Sequence, residues 1–436
     1  MRKYMKIGIG LAVAAVLGGS AYYYKSTQNT IADTDATEEV EKMQPVGPSF
    51  NADSAYSYTK AQCDFGTRDM NSEGHDRCAE WIIAKFKQYG CKVESQKADL
   101  KGYDGTNLKS QNIIAKVNPE ATTRILICAH WDSRPWADND PNKANWKKPI
   151  LAANDAASGV AVMLELARLL DSQKGKKGAL SSQFGIDFVC FDAEDWGTPQ
   201  WANTQDDGSS WALGAQYWSK NLPQGYEARY GILLDMVGGA GAQFHQEGMS
   251  KQYAPEIVNK VWKAARQVGF GSFFPNSDGG MITDDHIPVN QDAKIPTIDI
   301  IPYYPDCKQS CFGPTWHTLA DNMDNIDKNT LKAVGQTLVQ VLGLNVKVVQ
   351  PQPSIRLFRL LYLLRSGRIF LQDWHRMSMQ KPARIQHVQD QELPEVHHKP
   401  NFHIRDKQVL SIIFLAHKLA FSFLESILSL YFPQHI

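Results

Sequence analysis

Five places along the chain put a histidine or a carboxylate at the edge of an apolar run. His130-Trp131-Asp132 follows RILICA, and Asn154-Asp155 stands before the amphipathic stretch that begins at Ser158. Glu194 and Asp195 follow FVCFDA, Asp235 follows YGILL, and Trp316-His317 comes after the last apolar run. Any one of these alone is an ordinary helix cap or a solvated loop charge. Five in series are not explained that way. Two histidines among several carboxylates suit zinc, which accepts imidazole nitrogen and carboxylate oxygen.

Those residues must be brought to one place by the elements that precede them. Strand-like apolar runs cover residues 112–117, 124–130, 185–192, 230–237 and 297–302. Amphipathic stretches with apolar residues three and four apart cover 75–89, 158–170, 211–222, 254–268 and 329–344. Continuous apolar strands separated by helices need a sheet covered on both faces. The expected fold is therefore α/β, a single globular domain with a mostly parallel, mixed central sheet flanked by helices. In such sheets ligands bind beyond the carboxyl ends of the strands, where the five motifs stand.

The chain around this domain is a composite. Its 46 Lys+Arg balance 46 Asp+Glu, which excludes a globally basic nucleic-acid binder. The balance hides a split, because residues 355–436 carry a net +5 and residues 1–354 a net −5. Residues 1–25 (MRKYMK, then an apolar run) have the pattern of a signal peptide or signal anchor, so export is expected, with membrane contact only through this segment. Residues 26–50 are polar and acidic and read as a linker. The domain is placed at 51–350. Residues 351–436 form an atypical tail, expected to be non-catalytic and poorly structured, whose His397-His398 pair is weak as a metal site.

The motifs FGTRDMNSEGHDRCAEW, AHWDS, NDAASGVAVMLELAR, FDAEDWG and LLDMVGG resemble the zinc aminopeptidase-like family of phosphorylase/hydrolase-like fold. GGMITDDHIPV and PTWHTLADNMDNID resemble, more narrowly, its glutaminyl cyclases, in particular bacterial members close to the animal type. The resemblance runs from about Phe65 to Asp327. It implies one zinc per chain on Asp155, Asp195 and His317, with Glu194 as the general acid/base and Asp235 and Asp284 beside the substrate amine. It also implies a pocket bounded by Trp316 and, more loosely, Trp201. His130 and Asp132 fall where a second metal or a supporting shell would stand. The chain departs from the animal enzymes in having Asp195 for their Glu, and Asp299 where they carry a histidine.

The implied reaction is cyclisation of an N-terminal glutaminyl residue of a peptide or protein to pyroglutamate, with loss of ammonia. A di-zinc aminopeptidase on the same fold, and a silent membrane-tethered binding domain, are the alternatives. The seven cysteines contain no CxxC pair. Cys307 and Cys311 bracket a short loop that an oxidising compartment could close as a disulfide. His286 is expected to be a structural hydrogen-bonder. Oligomeric state is not legible.

Overall fold

The computed structural model describes residues 47–176, 180–202 and 206–343. The export segment, most of the linker, the tail and the His397-His398 pair lie outside the described residues. The domain's first core residue is Phe50, which is buried and whose N–H is accepted by Gln336 Oε1 at 2.9 Å. The linker therefore gives way to core packing at its last residue.

Six strands form one sheet in the order β1-β2-β4-β3-β5-β6. They are β1 (Lys92–Lys101), β2 (Asn107–Val117), β3 (Thr123–His130), β4 (Phe184–Phe191), β5 (Gly231–Leu234) and β6 (Thr297–Ile300). The pairs β3/β4, β3/β5 and β5/β6 are parallel, whereas β1/β2 and β2/β4 are antiparallel. The expected mixed, mostly parallel sheet is what the chain builds. The longer helices are α1 (Ala52–Cys63), α2 (Glu73–Gln88), α3 (Gly159–Gln173), α4 (Leu213–Lys220), α6 (Pro255–Gln267) and α8 (Lys328–Val341). Two short ones, α5 (Gly248–Tyr253) and α7 (His286–Gln291), punctuate the second half.

β3 shows why the sheet is buried on both sides. Ile125, Ile127 and Ala129 point into the larger core, with Val160, Met163 and Leu164 of α3 and Leu331, Val334 and Leu338 of α8. Leu126 and Cys128, on the opposite face, pack with Trp218 of α4 and Val289 of α7. Alternation along one strand thus feeds two cores, which requires apolar residues at every position. Within the smaller-core side, Arg124 grips Asp187 of β4 through Nε and Nη2, both at 2.6 Å, and Tyr226 donates to the same carboxylate at 2.7 Å. A buried ion pair survives there because the carboxylate is bonded by both groups.

The close fit of α3 to the sheet depends on one glycine. A Cβ on Gly159 would lie 2.4 Å from the Leu234 carbonyl oxygen, so only glycine lets this helix start against the end of β5. That contact sets the turn carrying Asp155 over the carboxyl edge of the sheet.

Candidate active site

The site is assembled at the carboxyl ends of the parallel strands. His130 is the last residue of β3, Glu194 and Asp195 follow β4, and Asp235 follows β5. Asp155 sits in the turn Ala153–Ser158 that enters α3, and His317 lies in the loop between β6 and α8. The backbone is bent beside Asp155, Glu194, Asp235 and His317. Ala152 (φ 52°), Ala156 (φ 135°), Ala193 (φ 53°), Met236 (φ 49°) and His317 itself (φ 54°) occupy the left-handed half of conformational space. Non-glycine residues there cost on the order of 1–3 kcal/mol each, and such positions gather at functional sites.

Two buried aspartates hold the bends in place. Asp132 Oδ1 accepts the Glu194 N–H and its Oδ2 accepts the Asp195 N–H, both at 3.1 Å. Asp321 does the same for the other turn, accepting Asn154 N–H at 2.8 Å and Asp155 N–H at 3.0 Å. Arg68, fully buried, donates to the carbonyls of Trp131 (3.1 Å), Leu151 (2.8 Å) and Ala152 (2.8 Å), tying the β3 end to the Asp155 turn.

Asp155, Asp195 and His317 present ligand atoms that all lie within 4.8 Å of one another, and all three residues are buried. His317 Nε2 is 3.2 Å from Asp195 Oδ1 and 3.5 Å from Asp155 Oδ2. Asp155 Oδ2 and both Asp195 carboxylate oxygens are buried without a hydrogen-bond partner. Unsatisfied buried carboxylates converging on an imidazole are costly unless a cation joins them, so the donor set fits a divalent metal such as zinc. A second convergence shares Asp155: His130 Nε2 lies 3.0 Å from Asp155 Oδ1 and 3.2 Å from Asp235 Oδ1.

Cations hold Asp195 and Asp138 ionised in this half, whereas burial and the neighbouring Asp195 raise Asp155 well above the usual carboxyl range against the pull of His130. Arg134, wholly buried, binds Asp138 through Nε and Nη2 at 2.7 Å and donates through Nη1 to the Asp195 carbonyl at 3.0 Å. Burial opposes ionisation of Asp195, but His317 and then Arg134 hold its carboxyl down to about 2. Burial, with Arg134, holds His317 below its ordinary value, favouring the neutral imidazole that a metal needs. Burial also disfavours a charged His130, but Asp132, Asp155 and Asp235 outweigh it and raise that imidazole well above its usual range.

The other half has the opposite character. Glu194, its side chain 12% exposed, is pushed well above the usual carboxyl range by burial and by Asp195 and Asp284, against the pull of His130. Burial and Asp235 raise Asp284 to about 6. Asp299 and Asp285 are fully buried, neither carboxylate has a hydrogen-bond partner, and both lie well above the ordinary range through burial and neighbouring acids. His286 faces away from the cavity toward Glu247, Nε2 to Oε2 3.5 Å. The Glu247 carboxylate accepts the N–H groups of Met249, Ser250 and Ile282, bracing the turn before Asp284.

Between the halves lies a cavity of about 310 Å³ lined by Asp155, Glu194, Asp195, Asp235, Asp284 and His317, with apolar walls from Trp211, Trp316, Phe312 and Ile282. Trp316 stacks on His317 at 3.7 Å between ring centroids, and Trp211 lies nearly parallel to the same imidazole at 6.0 Å. Trp201 corrects the expectation. It packs against Trp136 and Trp146, outside the cavity lining, and Trp211 forms the wall instead. The Thr198 N–H donates to Ser210 Oγ at 3.2 Å, and Trp211, the next residue in sequence, lines the cavity. His130 and Asp132 lie behind the cavity. Cys307 and Cys311 are free thiols. Sequence reading missed Arg134, Asp138, Asp321 and Phe312; the Ser133-Arg134-Pro135 run beside His130 was the available hint.

With this geometry in hand, the chain's likenesses can be placed. Residues 112–342 match the model of peptidase family M28. The glutaminyl-peptide cyclotransferase of Gloydius blomhoffii is 28% identical over 251 residues, covering 52% of this chain and 63% of its own, so this chain spans less than two thirds of that relative's length. The crystal structure of Bacteroides thetaiotaomicron glutaminyl cyclase bound to N-acetylhistamine is 52% identical, covering 68% of this chain and 98% of its own, with a TM-score of 0.65. A leucine aminopeptidase precursor from the same organism is likewise 52% identical, covering 68% of this chain and 97% of its own, with a TM-score of 0.64.

Proposed function

The chain belongs to peptidase family M28, and from that premise we propose that it cyclises N-terminal glutaminyl residues of peptides or proteins to pyroglutamate, releasing ammonia. The observation that carries this reading is the cavity. At about 310 Å³ it is at the small end of ligand pockets, suited to one residue, and its apolar walls enclose an acid whose affinity for a proton is raised, Glu194, as a group that must both take and give one needs. The likeness to a bacterial glutaminyl cyclase over 98% of that chain supports it.

In this reading Asp155, Asp195 and His317 hold one zinc ion. When bound there, zinc supplies a Lewis acid for the glutamine side-chain carbonyl oxygen. The α-amine must lose a proton to attack that carbon, and the departing amide nitrogen must gain one before it leaves as ammonia. Glu194 takes the first proton and gives the second, so atoms and charge balance without water. Asp235 and Asp284 receive the substrate α-amine in its neutral form and fix it beside Glu194. Trp316, Trp211 and Phe312 keep water from the carbon, which disfavours hydrolysis. The active unit is residues 51–350, in an exported protein. Among the described residues no helix is long and apolar enough to cross a membrane.

The convergence of His130, Asp155 and Asp235 favours a second reading, an aminopeptidase with two metal ions. One assay on a Gln-initiated peptide separates the readings. Pyroglutamate and ammonia with one metal ion per chain support the cyclase; a free N-terminal residue with two metal ions overturns it. No turnover of either kind points to a silent binding domain.

A further inference from the structure

A second and larger cavity of about 590 Å³ opens from the first, sharing Gly208, Trp211, Thr283 and Asp284 with it. It runs along the join of α4 and α7 and is flanked by Asp207, Gln216, Lys220, Ile287, Gln291 and Asp292. We propose that this groove receives the residues of the substrate that follow its N-terminal glutamine, and that it selects for basic side chains there. The inference rests on the cyclase reading and extends it.

Length and continuity argue for this occupant. The helical wall from Leu213 to Lys220 is roughly 10 Å long. An extended peptide advances about 3.3 Å per residue, so about three residues cover that distance. A chain whose first residue fills the inner cavity has to leave through the shared mouth, and the groove begins there. Its walls suit main chain: the amide nitrogens of Gln216 and Gln291 are held by the Ser209 and Trp211 carbonyls and by Tyr253, which leaves their oxygens to accept peptide N–H groups, and Ile287 and Pro288 give an apolar floor.

The charge balance argues for basic partners. Asp207, Asp284 and Asp292 line the groove against a single cation, Lys220. Asp207 is exposed and held ionised by bonds from Ser209, which lower its carboxyl below the usual value. At the far end Lys220 Nζ stands 3.8 Å from Asp292 Oδ2, with 57% and 38% of the two side chains exposed. That pair is loose, and an incoming lysine can share the Asp292 carboxylate.

The test compares Gln-Ala, Gln-Ala-Ala-Lys-Lys and Gln-Ala-Ala-Glu-Glu as substrates of the zinc-loaded full chain at low ionic strength. The lysine peptide should exceed the glutamate peptide in kcat/KM by about fivefold, through KM, since an exposed pair contributes up to about that factor. Asp292→Lys should abolish or invert the preference and Lys220→Ala should widen it, while both leave Gln-Ala unchanged. Opposite shifts from two surface substitutions cannot come from a common loss of folding. Conversion of Gln-Ala with equal kcat/KM for the two pentapeptides overturns the groove alone. Absence of pyroglutamate from Gln-Ala overturns the reading on which it stands.

Discussion

The two halves of the site are made of the same side chains and behave as opposites. Around His317, acids face cations: Arg134 binds Asp138 and reaches Asp195, whose carboxyl is held down to about 2. Around Asp284, acids face acids, and Asp284, Asp285 and Asp299 are all raised. Burial is the largest influence in both halves and pushes every carboxyl upward. The placement of one guanidinium and the imidazoles decides which acids stay charged. Asp195 is thereby kept charged for a metal ion, whereas Asp155 beside it, like the acids around Asp284, is raised in the absence of one.

That contrast can be broken in order of effect. Glu194→Gln should lower the rate of ammonia release roughly hundred- to ten-thousand-fold, the usual contribution of a general acid/base, with zinc content unchanged by atomic emission. Loss of zinc instead would place Glu194 in the metal-holding half. Arg134→Met leaves Asp138 and Asp195 buried without their cation. Chemical denaturation should show a loss of about 3–5 kcal/mol, the cost of breaking a buried pair.

The pH dependence of the metal-free protein sets raised acids against lowered ones, drawn from both halves. Asp284 and Asp321 titrate at about 6, above their unfolded value near 3.8, so the folded state binds protons more tightly. Their contribution is complete below pH 4 and is lost as pH rises through 6. Asp195 and Glu247 are held at about 2, so their contribution is complete above their unfolded values and lost as pH falls toward 2. The thermal midpoint should therefore peak near pH 4 to 5 and fall toward pH 7 as the raised acids lose their protons. Zinc at about 100 times its dissociation constant should restore about 2.7 kcal/mol at pH 7. A metal-free protein most stable at pH 7 would refute the division. The smallest effect is expected from Asp299→Asn. Removing a buried carboxyl that has no partner should raise stability at pH 8 by about 1 kcal/mol, whereas the same change at Asp138 should lower it.

The legible parts of the fold were those whose environment is uniform. β3 and β4 are buried on both faces beyond their first residues, so nearly every residue is apolar or ion-paired and the runs stand out. β1 escaped because it is an edge strand, KVESQKADLK, alternating between exposed and half-buried residues. α1 escaped because ADSAYSYTKAQC presents few large apolar residues, and its buried side includes Thr59 and Gln62. At the site, the acids at strand ends were visible because strand ends are visible. Arg134 and Asp321 were not, since each acts on backbone or side chains far away in sequence. Trp201 and Trp211 sit ten positions apart on either side of a polar stretch, and nothing in that spacing says which ring lines the cavity.

The left-handed residues around the site carry a consequence for heat tolerance. Ala156, at φ 135°, holds a conformation that glycine adopts freely, and it directly follows Asp155. Glycine there should raise the melting temperature, because relief of roughly 1–3 kcal/mol of strain exceeds the 0.5–1 kcal/mol that a more flexible unfolded chain takes back. Calorimetry of Ala156→Gly checks this; no rise would mean the bend is unstrained. The same residue would let the Asp155 turn sample other shapes. A lineage selected for growth at higher temperature thus has an easy gain at this position that it can take only by loosening the loop that aims Asp155.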